Sequence, residues 1–231
     1  MRNLIGGLGL MLAAAVASAE TMQLTFMEQE QGIEPYQVRM LVNAEYLRID
    51  DGPDAEGFLL LRRADGMVFS IVHENASVLD IPRRDVPGTP PIPVNPQDEY
   101  TPDPAAPQVS GKMVVNYRQH FDGATCFSAV IADDLLPDVR TALTELNRTL
   151  AGQQMQTIGN FPSESITPCL LARLVYARQS FLSRGLPLAE WDENGYRRRL
   201  MDFHPVEDLP ADTFLVPPDY EHFQIGEALP L

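Results

Sequence analysis

Apolar and polar residues alternate along the first part of the chain, and this pattern predicts β-strands. A period of two is typical of a strand with one buried and one wet face. The Asp65-Gly66 pair is the strongest hairpin signal, because this dipeptide accepts a positive φ. The pattern predicts a meander of about six antiparallel strands. The predicted strands are 22–26, 38–42, 46–50, 58–63, 67–73 and 77–81.

The spacing of apolar residues changes to that of a helix after Asp133-Asp134, a pair that can cap a helix. Pro137 is tolerated in the first turn. Gly152 is expected to end or interrupt this helix, with a further turn to Ile158. A second helix is predicted to begin at 163–165 and to end before Gly185. The apolar face of the first helix consists of Leu136, Val139, Leu143, Leu146 and Leu150.

The remaining β pattern is shorter and more scattered. Strands are predicted at 113–117 and 125–131, then at 186–191 and 196–203 around an Asn-Gly turn, and residues 214–220 are strand-like. The spacing of turns near ten residues is consistent with a curved antiparallel sheet or partial barrel. Because a sheet with one apolar face must be covered, the predicted fold class is α+β, with the helices over that face.

A proline-rich insert, residues 82–107, separates the meander from the later strands. It contains nine prolines together with Asp98, Glu99 and Asp103. Proline fixes φ and lacks an N–H donor, so no central strand or helix is expected here. An extended surface linker is one interpretation; a lid or a partner-docking strip is the other, because long loops within a domain are uncommon without a function.

Residues 1–19 have the pattern of a cleavable signal peptide. Arg2 precedes an apolar run at 4–16, and the small residues Ala17-Ser18-Ala19 come before Glu20. A membrane anchor is the alternative, but thirteen apolar residues, three of them Gly, fall short of the roughly 20 that a spanning helix needs. We therefore expect a periplasmic protein, not membrane-spanning, whose single domain is 20–231.

Two cysteines, Cys126 and Cys169, are consistent with an exported chain. A bridge between them would close a loop of 43 residues and would stabilise the fold by about 4 kcal/mol. Two buried free thiols are the alternative. Neither cysteine belongs to a C-x-x-C pair, so the sequence supports neither redox catalysis nor a zinc site.

Charge and motifs exclude several classes of function. The net charge is −15, and removal of Arg2 leaves 16 basic residues against 32 acidic ones. This acidity argues against binding to nucleic acid or anionic lipid surfaces. No two of the four histidines are spaced as metal ligands on a helix, and no G-x-S-x-G or phosphate loop occurs outside the leader. No catalytic residue, metal ligand or cofactor is predicted.

The order of elements resembles the periplasmic lipoprotein-carrier (LolA/LolB-like) superfamily, in particular a secreted proteobacterial branch of it. The segments that carry the resemblance are 46–50, 67–72, 185–190 and 214–220. The resemblance implies a strongly curved antiparallel sheet, an open half-barrel, whose concave apolar face is covered by two or three helices, with acyl chains bound between sheet and helices. It is spread over short segments, so no family residue is transferred individually to this chain.

A carrier of this type would bind its ligand between the sheet and the helices. The alternative is that sheet and helices pack tightly as an ordinary core. The predicted lining residues are Leu24, Phe26, Met40, Leu47, Ile49, Phe69, Ile71, Leu136, Val139, Leu143 and Leu146.

Three hypotheses about function follow. The first is a periplasmic binding protein for a lipid, a lipoprotein acyl chain or another apolar ligand. The second is an envelope sensor or interaction module that docks a protein partner through the proline-rich loop. The third is an enzyme, but no set of residues in the sequence matches a known catalytic pattern.

Overall fold

The computed structural model of the protein describes residues 20–121 and 123–224. The expected signal peptide, 1–19, lies outside the described residues. The described part is α+β, with one large open sheet and two α-helices. None of its helices has the length and apolar character needed to cross a membrane.

The sheet contains twelve strands within the described ranges. Their bounds are β1 Thr21–Gln29, β2 Tyr36–Val42, β3 Tyr46–Asp50, β4 Gly57–Arg62, β5 Met67–Val72, β6 Ser77–Ile81, β7 Gln97–Pro102, β8 Val114–Phe121, β9 Ala124–Asp133, β10 Gly185–Asp192, β11 Arg197–Val206 and β12 Glu221–Gln224. The six-strand meander is confirmed as β1–β6, in which each strand pairs antiparallel with the next and each connection carries turn residues.

The spatial order is β12-β6-β5-β4-β3-β2-β1-β11-β10-β9-β8-β7. The N-terminal strand β1 joins the two halves by pairing with β2 on one side and with β11 on the other. The sheet is mixed, not wholly antiparallel as predicted, because β12 runs parallel to β6. The chain reaches β12 through an irregular segment and arrives in the same direction as β6.

Two parts of the strand prediction are corrected. The proline-rich insert is not only a linker, since its residues 97–102 form β7 at the edge of the sheet. An edge strand tolerates proline because one side needs no N–H donor. Residues 214–220 are turns and irregular backbone, not a strand; two consecutive prolines, Pro217 and Pro218, prevent regular pairing there.

The first helix, α1, spans Pro137–Thr157 and is continuous. The expected interruption at Gly152 is wrong, since this residue lies inside the helix. The second predicted helix is broken into short pieces: a 3₁₀ turn at Ser163–Ser165, helix α2 at Pro168–Leu171, a π-helical turn at Ala172–Tyr176 and a 3₁₀ turn at Ser180–Ser183. A π turn of this kind is rare and is frequently found at functional sites.

The two faces of the sheet bury two separate hydrophobic clusters. The main core lies under α1 and includes Leu24, Leu47 and Val68. The second core lies on the opposite face of β4–β6, where Phe58 and Leu60 pack against residues 214–220. Strands β3–β6 are therefore apolar on both faces, which explains the nearly continuous apolar runs in this part of the sequence.

The predicted disulfide is confirmed between Cys126 on β9 and Cys169 on α2. The two Cα atoms are 5.5 Å apart, which is an ordinary separation for a bridge. The bond fastens the irregular helical segment to the sheet.

Gly152 allows the backbone of the proline-rich insert to approach α1. A Cβ built at this position would lie 2.4 Å from the carbonyl oxygen of Arg84. At Gly159, a Cβ would meet no heavy atom within 4 Å. The glycine inside the helix therefore reflects close packing and not a helix end.

We predict that Gly152→Ala destabilises the protein by about 1–3 kcal/mol, because the added methyl group overpacks the contact with Arg84. In an exposed helix the same change would stabilise by up to about 1 kcal/mol. Denaturant unfolding of the two variants Gly152→Ala and Gly159→Ala measures the difference. An alanine at 152 that stabilises the fold would contradict the close approach.

Candidate functional site

A cavity of about 470 Å³ lies between the sheet and the helical elements. Its volume falls in the range of about 300–1,000 Å³ that is usual for small-molecule sites. The sheet forms one wall; α1 and residues 173–179 form the other. Apolar side chains at the wall are Val38, Met40, Ile49, Leu59, Phe127, Leu143, Leu146, Leu150, Leu174 and Ala177.

Four of the eleven predicted lining residues reach this cavity: Met40, Ile49, Leu143 and Leu146. Five others belong to or pack against the main core without lining the cavity; they are Leu24, Phe26, Leu47, Leu136 and Val139. Residues near the middle of α1 therefore face the cavity, and the start of the helix packs onto the sheet.

The prediction that Phe69 and Ile71 line the cavity is wrong, because both residues belong to the second core on the opposite face of the sheet. Val68, their neighbour on β5, belongs to the main core. Side chains alternate along a strand, so residues 69 and 71 must point away from α1. The apolar run 67–72 is buried on both faces, so its sequence does not indicate which of the two alternating sets of side chains faces the helix.

One end of the cavity is polar and contains a row of charges across three adjacent strands. Arg198 on β11 is paired in register with Glu28 on β1 and with Glu190 on β10. Its Nε lies 2.7 Å from Glu190 Oε1, although the alignment is too poor for a hydrogen bond, and its Nη1 lies 3.5 Å from Glu28 Oε1. The guanidinium also stacks over Phe26, 4.6 Å from the ring centre.

Gln179 links this row of charges to α1. Its amide nitrogen donates to both carboxylate oxygens of Glu190 at 3.0 Å, and its amide oxygen accepts from Asn147 Nδ2 at 2.9 Å. The backbone of Gln179 has a φ of 48°, which is unusual for a residue other than glycine. Such strain persists only where the surroundings hold the residue in place.

Two further arginines complete the polar end. Arg173, on the π turn, forms an ion pair with Asp192. Arg178 donates from Nε to Asn147 Oδ1 at 2.8 Å. Burial lowers the pKa of Arg178, with further lowering by Arg198 and Arg173, although Glu190 acts in the opposite direction.

Burial and charge shift the pKa of several groups at this end. Burial raises the pKa of Glu28 above 4.5; Arg198 opposes this shift and Glu190 adds to it. Burial alone would lower the pKa of Arg198, but Glu190, Tyr196 and Glu28 raise it. At neutral pH the buried arginine is therefore held as a cation.

A second polar cluster lies where β7 meets the cavity. Asp98 accepts from the Tyr117 hydroxyl at 2.9 Å and from Gln119 Nε2 at 3.1 Å, and the Ser180 hydroxyl donates to it at 2.9 Å. Burial raises the pKa of Tyr117, so the phenol stays protonated at neutral pH. The cluster joins the edge strand, the sheet and the end of the helical segment.

Sequence reasoning did not identify the polar end of the cavity. The run Arg197-Arg198-Arg199 does not indicate which of its members is buried; in the structure it is Arg198, which lies between Glu190 and Glu28. Its burial depends on Glu190 and Glu28, which lie on different strands. No local signal marks Arg178 or Gln179, because both lie in irregular backbone.

The described residues bring three potential metal-ligand groups together at Cys126, Cys169 and Glu193. The two sulfur atoms are joined in the disulfide. They cannot act as thiolate ligands in this state, so this group is not a metal centre.

The raised pKa of Glu28 predicts a pH-dependent contribution to stability. The folded carboxyl holds its proton to higher pH than the unfolded one, so wild-type protein loses stability as pH rises through this pKa. Glu28→Gln lacks the titration. The free energy of unfolding of wild type minus that of the variant should therefore fall as the pH rises above 4.5, the ordinary pKa of a glutamate.

Urea unfolding at several pH values measures this difference. Glu34→Gln, in the exposed turn between β1 and β2, is the matched control for loss of one carboxylate. A wild-type minus Glu28→Gln difference that rises with pH would contradict the assignment.

Comparison with known proteins shows little similarity. No protein-family model matches the chain, and no curated protein matches it. Among solved structures, an uncharacterised conserved protein from Thermus thermophilus is similar with a TM-score of 0.45 and 12% identity over 89% of this chain and 91% of that one. Two structures of PNGF-II give a TM-score of 0.43 at 11% and 8% identity; each match covers 89% of this chain and about a third of the PNGF-II chain.

Proposed function

We propose that this protein is an exported binding protein for an apolar ligand, which it holds between the sheet and the helical elements. The observation that carries the proposal is the 470 Å³ cavity whose opposite walls, Ile49 and Leu59 on the sheet and Leu146 and Leu150 on α1, are apolar. Concave, mostly apolar sites with a few convergent polar groups are typical of small-molecule binding.

The size of the cavity distinguishes it from an ordinary core. Protein interiors are close-packed, and voids larger than a water molecule are few. This site is partly open to solvent, so its apolar walls remain in contact with water. A ligand that covers these walls would remove that apolar surface from water.

Export is the second part of the proposal. It is supported by the signal-peptide pattern of residues 1–19 and by the disulfide between Cys126 and Cys169, a bond that persists in oxidising compartments. The same features support the periplasm as the proposed location.

The resemblance to lipoprotein carriers adds the class of ligand. An open sheet with helices over one face is the arrangement expected for a carrier of acyl chains. Strong curvature of the sheet belongs to this proposal, because curvature would bring distant strands such as β4 and β9 to one cavity. Leu59 and Phe127, from these two strands, both line it.

Docking of a protein partner is the alternative proposal. The edge strand β7 is mostly exposed, and within the described residues no strand pairs with its outer edge. Unpaired strand edges can accept a strand from a partner. Failure of the binding test below would favour this alternative.

Binding of a neutral apolar probe tests the main proposal. N-phenylnaphthylamine should bind the wild-type protein saturably, with enhanced fluorescence. Leu59→Trp places an indole in the cavity and should weaken binding by at least tenfold, because the probe and the indole compete for the same volume.

Leu215→Trp is the control, because Leu215 is 58% exposed and lies in the 214–220 segment away from the cavity. It should bind the probe like wild type. No saturable binding to wild type, or equal binding to both tryptophan variants, would contradict the proposed site.

A further inference from the structure

The charged side chains at the cavity wall are mainly cationic. They are Arg173, Arg178 and Arg198, with Glu28 as the one carboxylate among the described lining residues. The protein as a whole carries a net charge of −15. Carboxylates neutralise two of these three arginines, so the arginine that has no such partner decides whether the cavity can bind an anion.

The three arginines differ in the partners that neutralise them. Arg173 pairs with Asp192, and Arg198 lies between Glu190 and Glu28. Among the described side chains, no carboxylate lies within ion-pair distance of Arg178, whose Nε donates to the neutral amide of Asn147. A partly buried cation held by a neutral amide is a binding partner for an anion.

Arg198 also has unmet hydrogen-bonding capacity. The residue is only 8% exposed, and its Nη2 has no hydrogen-bond partner. Glu190 also accepts from Gln179 and Tyr196, so Arg198 shares this carboxylate with two other donors. A buried charged donor without an acceptor is costly, and a small shift of the guanidinium toward a bound anion would satisfy it.

The cationic end adjoins the apolar wall. Asn147, which holds Arg178, lies on α1 between Leu146 and Leu150 in sequence, and all four residues line the cavity. If the charged group of a ligand contacted Arg178, its apolar part would therefore contact α1 and Ile49 on the sheet. The site fits one molecule with a charged head and an apolar tail.

The volume sets the size of the part of that molecule that the cavity encloses. At about 30 Å³ for each water-sized group, the 470 Å³ cavity holds about sixteen non-hydrogen atoms. This corresponds to one medium-length chain with a small head group. A lipid with two long chains would extend beyond the cavity.

From these contacts we infer that the ligand is a single-chain amphiphile with an oxyanion head group, a carboxylate or a phosphate, bound at Arg178 beside Arg198. The inference rests on the proposed apolar binding function and adds the charge and position of the head group. Arg178 is the main contact, and the unpaired Nη2 of Arg198 supplies a second donor beside it.

Three probes with the same chain test the inference: dodecanoate, dodecyl phosphate and methyl dodecanoate. Each probe is added at a concentration below that at which it forms micelles, and its displacement of N-phenylnaphthylamine from the wild-type protein is measured. At least one of the two oxyanions should bind about tenfold tighter than the ester, a difference of about 1.4 kcal/mol. Whichever oxyanion binds more tightly identifies the head group.

Variants of Arg178 locate the head group. Arg178→Gln should reduce the preference for the oxyanion to about twofold or less with ester affinity unchanged, and Arg178→Lys should keep part of the preference. Arg118→Gln is the matched control, because Arg118 is exposed on β8 and does not line the cavity. Thermal unfolding verifies that each variant is folded.

The possible failures are distinguishable. If wild-type protein binds the ester as tightly as both oxyanions, the head-group inference is wrong while the apolar site stands. A preference that survives in Arg178→Gln would overturn the assignment to Arg178. If wild-type protein binds none of the probes, including the neutral dye, the proposed function fails and the inference fails with it.

Discussion

The structure is governed by a mismatch between the width of the sheet and the size of its cover. Twelve strands at about 4.8 Å spacing would span about 53 Å if flat, whereas the 21-residue helix α1 is about 32 Å long and about 10 Å wide. One helix of this size cannot cover one face of such a sheet. Other segments of the chain must therefore cover the rest of the apolar surface.

Two irregular segments provide the additional cover. Residues 158–183 extend the helical layer beyond α1, tied to the sheet by the Cys126–Cys169 bond, and residues 214–220 cover the opposite face of β4–β6. Short turns fill space less completely than a long helix, and the 470 Å³ cavity lies where α1 meets the first of these segments. The row Glu28–Arg198–Glu190 closes its end. Buried ion pairs seldom add net stability, so this row does not by itself explain why the fold is stable.

The sequence predicted those parts of the fold that local patterns determine. Strands β1–β6 and the start of α1 follow from periodicity and turn residues such as Asp65-Gly66. The disulfide was predicted because the chain has two cysteines and the pattern of an exported protein. The cavity was predicted only in outline, because facing residues such as Leu59 and Phe127 belong to distant strands. Phe69 was assigned to the wrong face, since a strand buried on both sides gives no signal of direction. The roles of Arg178 and Gln179 depend on tertiary contacts that no short pattern encodes.

The central claim is that the space between sheet and helices is a ligand site. Native mass spectrometry of the mature protein, purified from the export compartment without detergent, tests this most directly. We expect a fraction of the molecules to carry the added mass of one small amphiphile. Organic extraction should remove this added mass, and excess dodecanoate should restore a bound ligand. A spectrum that shows only the mass of the chain, before and after addition of dodecanoate, would contradict it.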